Sequence, residues 1–204
     1  MAHHRKLVGL ALALNTGIVV VEAAAGFQAG SLSLVMDAVH NLSDELALIF
    51  LFLSYVVSSG PSRNMLRTAN LLNSAGLIAM SALLLWYAGS RILDPQPVLG
   101  WVPAIVGLAA AAANWGVARC LLAPSRDNPA VRLAWLHNRG DVVVSLVPVV
   151  AGVLVSVSGQ PLFDPLAAAL VGSWILVSTL REIAGSHDEL LWPEKLVCCH
   201  GHGR

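Results

Sequence analysis

The chain has 204 residues, 56% apolar and only 12% charged, with twelve Lys/Arg against twelve Asp/Glu and a mean hydropathy of +0.71. The charged share is about half that of an ordinary soluble domain. These values exclude a soluble enzyme, a disordered chain and a nucleic-acid binder, which needs a basic face; what remains is a polytopic membrane protein.

A bilayer core takes about 20 apolar residues per helix. Six stretches qualify in chain order: Leu7–Gln28, Ser31–Val57, Leu71–Ser90, Val98–Leu122, Ala130–Val157 and Pro161–Leu180. The first follows His3, His4, Arg5 and Lys6 and so resembles a signal peptide, but it is long and contains Glu22, which favours a retained span. Between the stretches lie short breaker-rich segments: Gly60-Pro61, Asp94 to Pro97, Ala123-Pro124-Ser125 and Gly159 to Pro161. Connections this short join antiparallel neighbours. Asp164 is placed to cap the sixth helix, with Pro165 suited to its first turn. The fold expected is an all-α membrane protein of six transmembrane helices.

With both termini placed in the cytoplasm, ten of the twelve cations fall in cytoplasmic segments. Arg91 lies outside and Arg139 within the fifth span. This asymmetry sets the orientation. Cys120, Cys198 and Cys199 then all lie on the reducing side, where a structural disulfide is not expected.

The informative residues are the ionisable ones in mid-span. The second span contains Asp37, His40, Asn41, Asp44 and Glu45, and the fifth contains His137, Asn138, Arg139, Gly140 and Asp141. Each holds His-x-x-x-Asp, and helix positions i and i+4 share a face. His40 with Asp44, and His137 with Asp141, therefore form two two-ligand stripes. Facing each other, they offer two imidazole nitrogens and two carboxylate oxygens, a set that closes tetrahedrally around Zn²⁺. Ligand type leaves Cd²⁺, Co²⁺ and Fe²⁺ as further candidates. Ionisable residues in spans usually mark ion or proton paths. Asp37, one turn before His40, is placed to accept the other imidazole N–H or to line the ion path. Asn41 and Asn138, each following a ligand histidine, read as interhelical hydrogen-bonding groups with a supporting role at the site. Asn15, Asn73 and Asn114 read as interhelical contacts, and Gly140 as a point of close helix approach. Arg139 turns away from His137 and is expected to pair with Glu45 or Glu22, or to snorkel. Pro148 is expected to kink the fifth helix. Residues 193–204 form a cytoplasmic tail in which Cys198, Cys199, His200 and His202 could capture a metal ion.

These motifs resemble the cation diffusion facilitator family, six-span exporters of zinc and related metals. Ser31 to Asp44 matches the family's second-span signature. Leu14-Asn15 with Glu22 and Gly26 matches its first span, His137-x-x-Gly140-Asp141-x-x-x-Ser145 its fifth, and Asp164-Pro165 its sixth. The resemblance runs to about Leu191. It implies export of a divalent cation from the cytoplasm by proton antiport, a homodimer and alternating access. It maps the transport site onto His40, Asp44, His137 and Asp141, in the version associated with zinc.

The expected partners are thus the lipid bilayer, a divalent metal ion and protons, with no nucleic acid, no organic cofactor and no enzymatic activity. The location implied is a bacterial inner membrane. Three departures stand out. The family's cytoplasmic α+β domain is expected to be lacking, so residues 1–192 form the transport domain and little follows it. The loop after the fourth span carries no His-rich run. Arg139 sits where the family is often apolar. An intramembrane metallohydrolase would need an open metal position and a motif such as His-Glu-x-x-His, which does not occur. A non-transporting partner or scaffold subunit is the alternative reading, and the intact ligand set argues against it.

Overall fold

The structure, a computed structural model, describes residues 2–56, 63–126 and 129–185. These are helical nearly throughout: α1 (Ala2–Ala29), α2 (Leu32–Val56), α3 (Arg63–Leu93), α4 (Trp101–Leu122), a 3₁₀ turn at Pro124–Arg126, α5 (Pro129–Val144), α6 (Leu146–Ser158) and α7 (Phe163–Gly185). Among the described residues there is no strand. Among the described residues, five segments are long and apolar enough to cross a bilayer: α1, α3, α4, α5 with α6, and α7. The sixth rod, α2, is long enough at 25 residues but carries three carboxylates. The Cys198–His202 tail and the Gly60-Pro61 connection lie outside the described residues.

The fifth span is one rod in two segments. Ser145 keeps right-handed helical angles, and its N–H still donates to the Asp141 carbonyl at 2.9 Å. The ladder is interrupted because Pro148, three residues on, has no N–H to offer the Val144 carbonyl, and its ring crowds that group. The expected perturbation is therefore present, displaced toward the ligand Asp141.

Three connections assigned to the outer side meet at one end of the bundle. Gly30 ends α1 in the left-handed region, at φ 66°, and the Ser31 N–H returns to the Gly26 carbonyl at 2.9 Å. The Leu99 N–H donates to the Ala29 carbonyl at 3.1 Å, and the Arg91 guanidinium to that of Gly30. Gly159 closes α6 at φ 69° in the same way.

Asp164 does not serve as the cap of its own helix. It lies within α7, and its carboxylate crosses to the start of α2. There Oδ1 accepts from the hydroxyls of Ser31 and Ser33, both at 2.6 Å, and Oδ2 from the Leu32 N–H, also at 2.6 Å. The capped terminus lies more than 130 residues away in sequence. A carboxylate is favoured here because the first turn of a helix presents unpaired N–H groups and the positive end of its dipole.

Side chains divide the bundle into levels along its length. Toward the end where α2 begins, Leu32, Val35 and Met36 of α2 pack with Leu84 and Ala88 of α3 and with Ala168, Val171 and Ile175 of α7. Toward the other end, Leu48 of α2 packs with Val8, Ala11, Val117, Leu121 and Val131. Between these two apolar clusters lies a polar level centred on α2. α4 and α6 approach closely: a Cβ on Gly152 would stand 2.6 Å from the Ala104 nitrogen, whereas one on Gly140 would meet nothing within 4 Å. Gly140 is thus not the close-approach residue expected.

Asp164→Ala is expected to lower the unfolding free energy by about 3 kcal/mol, since it strands buried donors that now share a charged acceptor. Denaturant unfolding in detergent micelles checks this, with the lipid-facing Leu166→Ala as a control that changes little.

Candidate metal centre

The two predicted stripes face each other across α2 and α5. His40 Nε2 lies 2.9 Å from Asp141 Oδ1, and His137 Nε2 lies 2.7 Å from Asp44 Oδ1. A third approach, His137 Nε2 to Asp141 Oδ1, is 3.9 Å. One donor atom from each of the four residues falls within 4.8 Å of all the others. The ring centroids of the two histidines are 5.6 Å apart. A Zn²⁺ ion with bonds of about 2.0–2.2 Å needs its ligands roughly 3.3–3.6 Å apart, so separations that now reach 4.8 Å would shorten by about 1 Å as a tetrahedron closed.

Each pair joins a histidine from one helix to an aspartate from the other. Neither helix could hold an ion alone. The two carboxylates are buried and each keeps one oxygen, Asp44 Oδ2 and Asp141 Oδ2, without a hydrogen-bond partner. Buried acceptors left over in this way suit a cation as the missing partner. The histidines differ: the His40 side chain is 13% exposed and that of His137 is 54% exposed.

The surroundings explain how α2 carries these charges. Asn41 is a hub: its Nδ2 donates to Glu22 Oε2 at 2.7 Å, and its Oδ1 accepts from Asn114 Nδ2 at 3.2 Å. Asn114 also donates to the Ser145 hydroxyl at 3.1 Å. Asn73 of α3 donates to the Ser43 hydroxyl at 2.8 Å. The asparagines of α1, α3 and α4 thus bind helices together, as expected.

Other expectations change. Asn138 donates to the Ala134 carbonyl of its own helix at 2.9 Å and does not bridge to a neighbour. Asp37 makes no hydrogen bond to His40: its carboxyl is fully buried and lies beside Glu22 and Ser145. Arg139 pairs with neither Glu22 nor Glu45. Its guanidinium lies 4.9 Å from the Trp135 ring centroid, a cation–π contact one turn back on the same helix. Sequence reasoning missed the role of Glu45, which accepts from Asn15 Nδ2 at 2.9 Å and from the Thr16 hydroxyl.

Residues 8–191 match the family described as the cation efflux transmembrane domain. The chain belongs to this cation efflux family. It is 31% identical over 190 residues to the zinc transporter ZitB of Escherichia coli, covering 89% of this chain and 61% of that protein. It is 26% identical over 186 residues to a cadmium, cobalt and zinc/H(+)-K(+) antiporter of Bacillus subtilis, covering 86% and 60%. A probable zinc transporter of Saccharomyces cerevisiae, MSC2, is 28% identical over 202 residues, covering 88% and 27%. The chain thus spans about three fifths of the bacterial relatives' length. It is a multi-pass membrane protein.

Asp141→Ala is expected to weaken Zn²⁺ binding roughly 100-fold or more, beyond the 10–100-fold typical of groups that only support a ligand. Asn138→Ala, which breaks a bond internal to α5, leaves the affinity nearly unchanged. Equilibrium dialysis of purified protein measures both.

Proposed function

We propose that this cation efflux family member carries Zn²⁺ out of the cytoplasm in exchange for protons, through His40, Asp44, His137 and Asp141. One observation carries the reading: two imidazole nitrogens and two carboxylate oxygens converge within 4.8 Å between two membrane-spanning helices. Nitrogen and oxygen donors in fours suit Zn²⁺ better than cations that prefer all-oxygen octahedra. The names of the bacterial relatives, a zinc transporter and a cadmium, cobalt and zinc antiporter, support the same ion class. A bacterial inner membrane is the location this reading implies.

The proton coupling follows from the pairing. Without an ion, each imidazole Nε2 stands at hydrogen-bonding distance from a carboxylate oxygen, so a proton belongs between them. A metal ion needs that nitrogen lone pair, and binding therefore displaces the proton. A dication replacing two protons leaves the charge of a two-aspartate site unchanged. That matters where neighbouring side chains are apolar and net charge is costly. When the site faces outward, reprotonated histidines no longer hold the ion. All four metal positions are filled by protein, which leaves no coordinated water for hydrolysis and argues against an enzyme.

Proteoliposomes reporting zinc and pH together test the reading. Zn²⁺ movement is expected to drive opposed proton movement, and His40→Ala is expected to cut flux at least tenfold at equal reconstitution. Zinc flux without proton movement removes the coupling; no flux in the wild type removes the transporter reading.

A further inference from the structure

The residue after each α2 ligand points at α1. Asn41 follows His40, and Glu45 follows Asp44. Successive helix positions are about 100° apart, so the 41/45 stripe lies a quarter-turn around α2 from the 40/44 stripe. The first stripe faces α5 and the second faces α1.

A single α1 side chain spans both turns of the second stripe. The Asn15 amide nitrogen donates to the Asn41 backbone carbonyl at 2.9 Å and to Glu45 Oε2 at 2.9 Å. Those are the two hydrogens that a carboxamide has to give. Thr16 donates to the other Glu45 oxygen. Asn15 and Asn41 are fully buried, and Glu45 is 8% exposed. Its carboxylate is nevertheless not among the metal-ligating group, since its oxygens are taken by α1.

From this geometry we infer that Asn15 is a positioning residue that sets the size of the ion cage. By holding α2 at both ligand-bearing turns, it fixes the rotation of α2 about its axis, and with it the distance of His40 and Asp44 from His137 and Asp141. Rotation of α2 by a few degrees would move its ligand atoms by a fraction of an ångström. That is the scale on which a small tetrahedral ion such as Zn²⁺ differs from the larger Cd²⁺. Asn15 touches neither the ion nor its ligands and acts through the α2 backbone and Glu45. The inference rests on the transport reading above and adds to it a determinant of selectivity outside the ligand set.

The test is the ratio of half-maximal concentrations for Cd²⁺ and Zn²⁺ in proteoliposome flux. In Asn15→Ala this ratio is expected to narrow about tenfold, with maximal flux within about threefold of wild type. Glu45→Ala should do the same. Glu45→Gln should keep the wild-type ratio, because its amide oxygen still accepts from Asn15 although the charge is gone. Asn15→Asp, which gives up the donor, should behave like Asn15→Ala. An unchanged ratio in Asn15→Ala, or equal loss in Glu45→Gln and Glu45→Ala, overturns the inference: the first denies positioning, and the second makes the charge the operative feature. If Asn15→Ala does not fold, the two Glu45 variants carry the test. A wild type that moves neither ion defeats the transport reading itself and is seen before any variant is compared.

Discussion

Four ionisable groups within nine residues of one membrane helix are the constraint around which this bundle is organised. Asp37, His40, Asp44 and Glu45 all lie on α2. In hydrocarbon, each needs a partner or protein cover. The neighbours supply both, with α1 and α4 converging on Asn41. α5 brings an imidazole and a carboxylate to the ligand stripe. α1 brings Asn15, Thr16 and Glu22, while α4 brings Asn114. α3 brings Asn73, and α7 brings Asp164 to the helix end. The lipid-facing sides of these helices remain apolar, with Val20, Phe27, Leu108, Trp174 and Val157 exposed.

The polar level is bounded by packed apolar residues on both sides. In the proposed transport cycle, one cluster would have to loosen while the other holds, since packed apolar side chains exclude water. The interrupted ladder between α5 and α6 lies beside the ligand Asp141, and helices give way more easily where a backbone hydrogen bond is already missing.

The parts of this arrangement that were legible in the sequence were those that depend on local spacing. His-x-x-x-Asp places two ligands on one face whatever the tertiary structure, and two copies in separate spans leave little choice but to meet. The span limits were legible for the same reason, because bilayer thickness acts on each segment alone. What failed were assignments that require knowing a partner's position. Asp164 carries the signature of a local cap, yet its carboxylate serves α2, since the nearest unpaired N–H groups in space belong to another helix. Arg139 was expected to pair with Glu22 or Glu45 or to snorkel, and its guanidinium, on the exposed side of α5, rests on the Trp135 ring instead of a carboxylate. Gly140 looked like a contact glycine and faces open space, while Gly152 makes the close approach. The hold of Asn15 on α2 bridges 26 to 30 residues, and a lone asparagine in a span carries no sign of which neighbour it will reach.

The two histidines of the proposed cage differ in cover: the His137 side chain is 54% exposed, while the other three side chains are at most 13% exposed. In the proposed transport cycle, an ion held by all four would therefore be open to substitution at one donor and shielded at three, and a water taking the place of His137 would keep it four-coordinate while the other three held it.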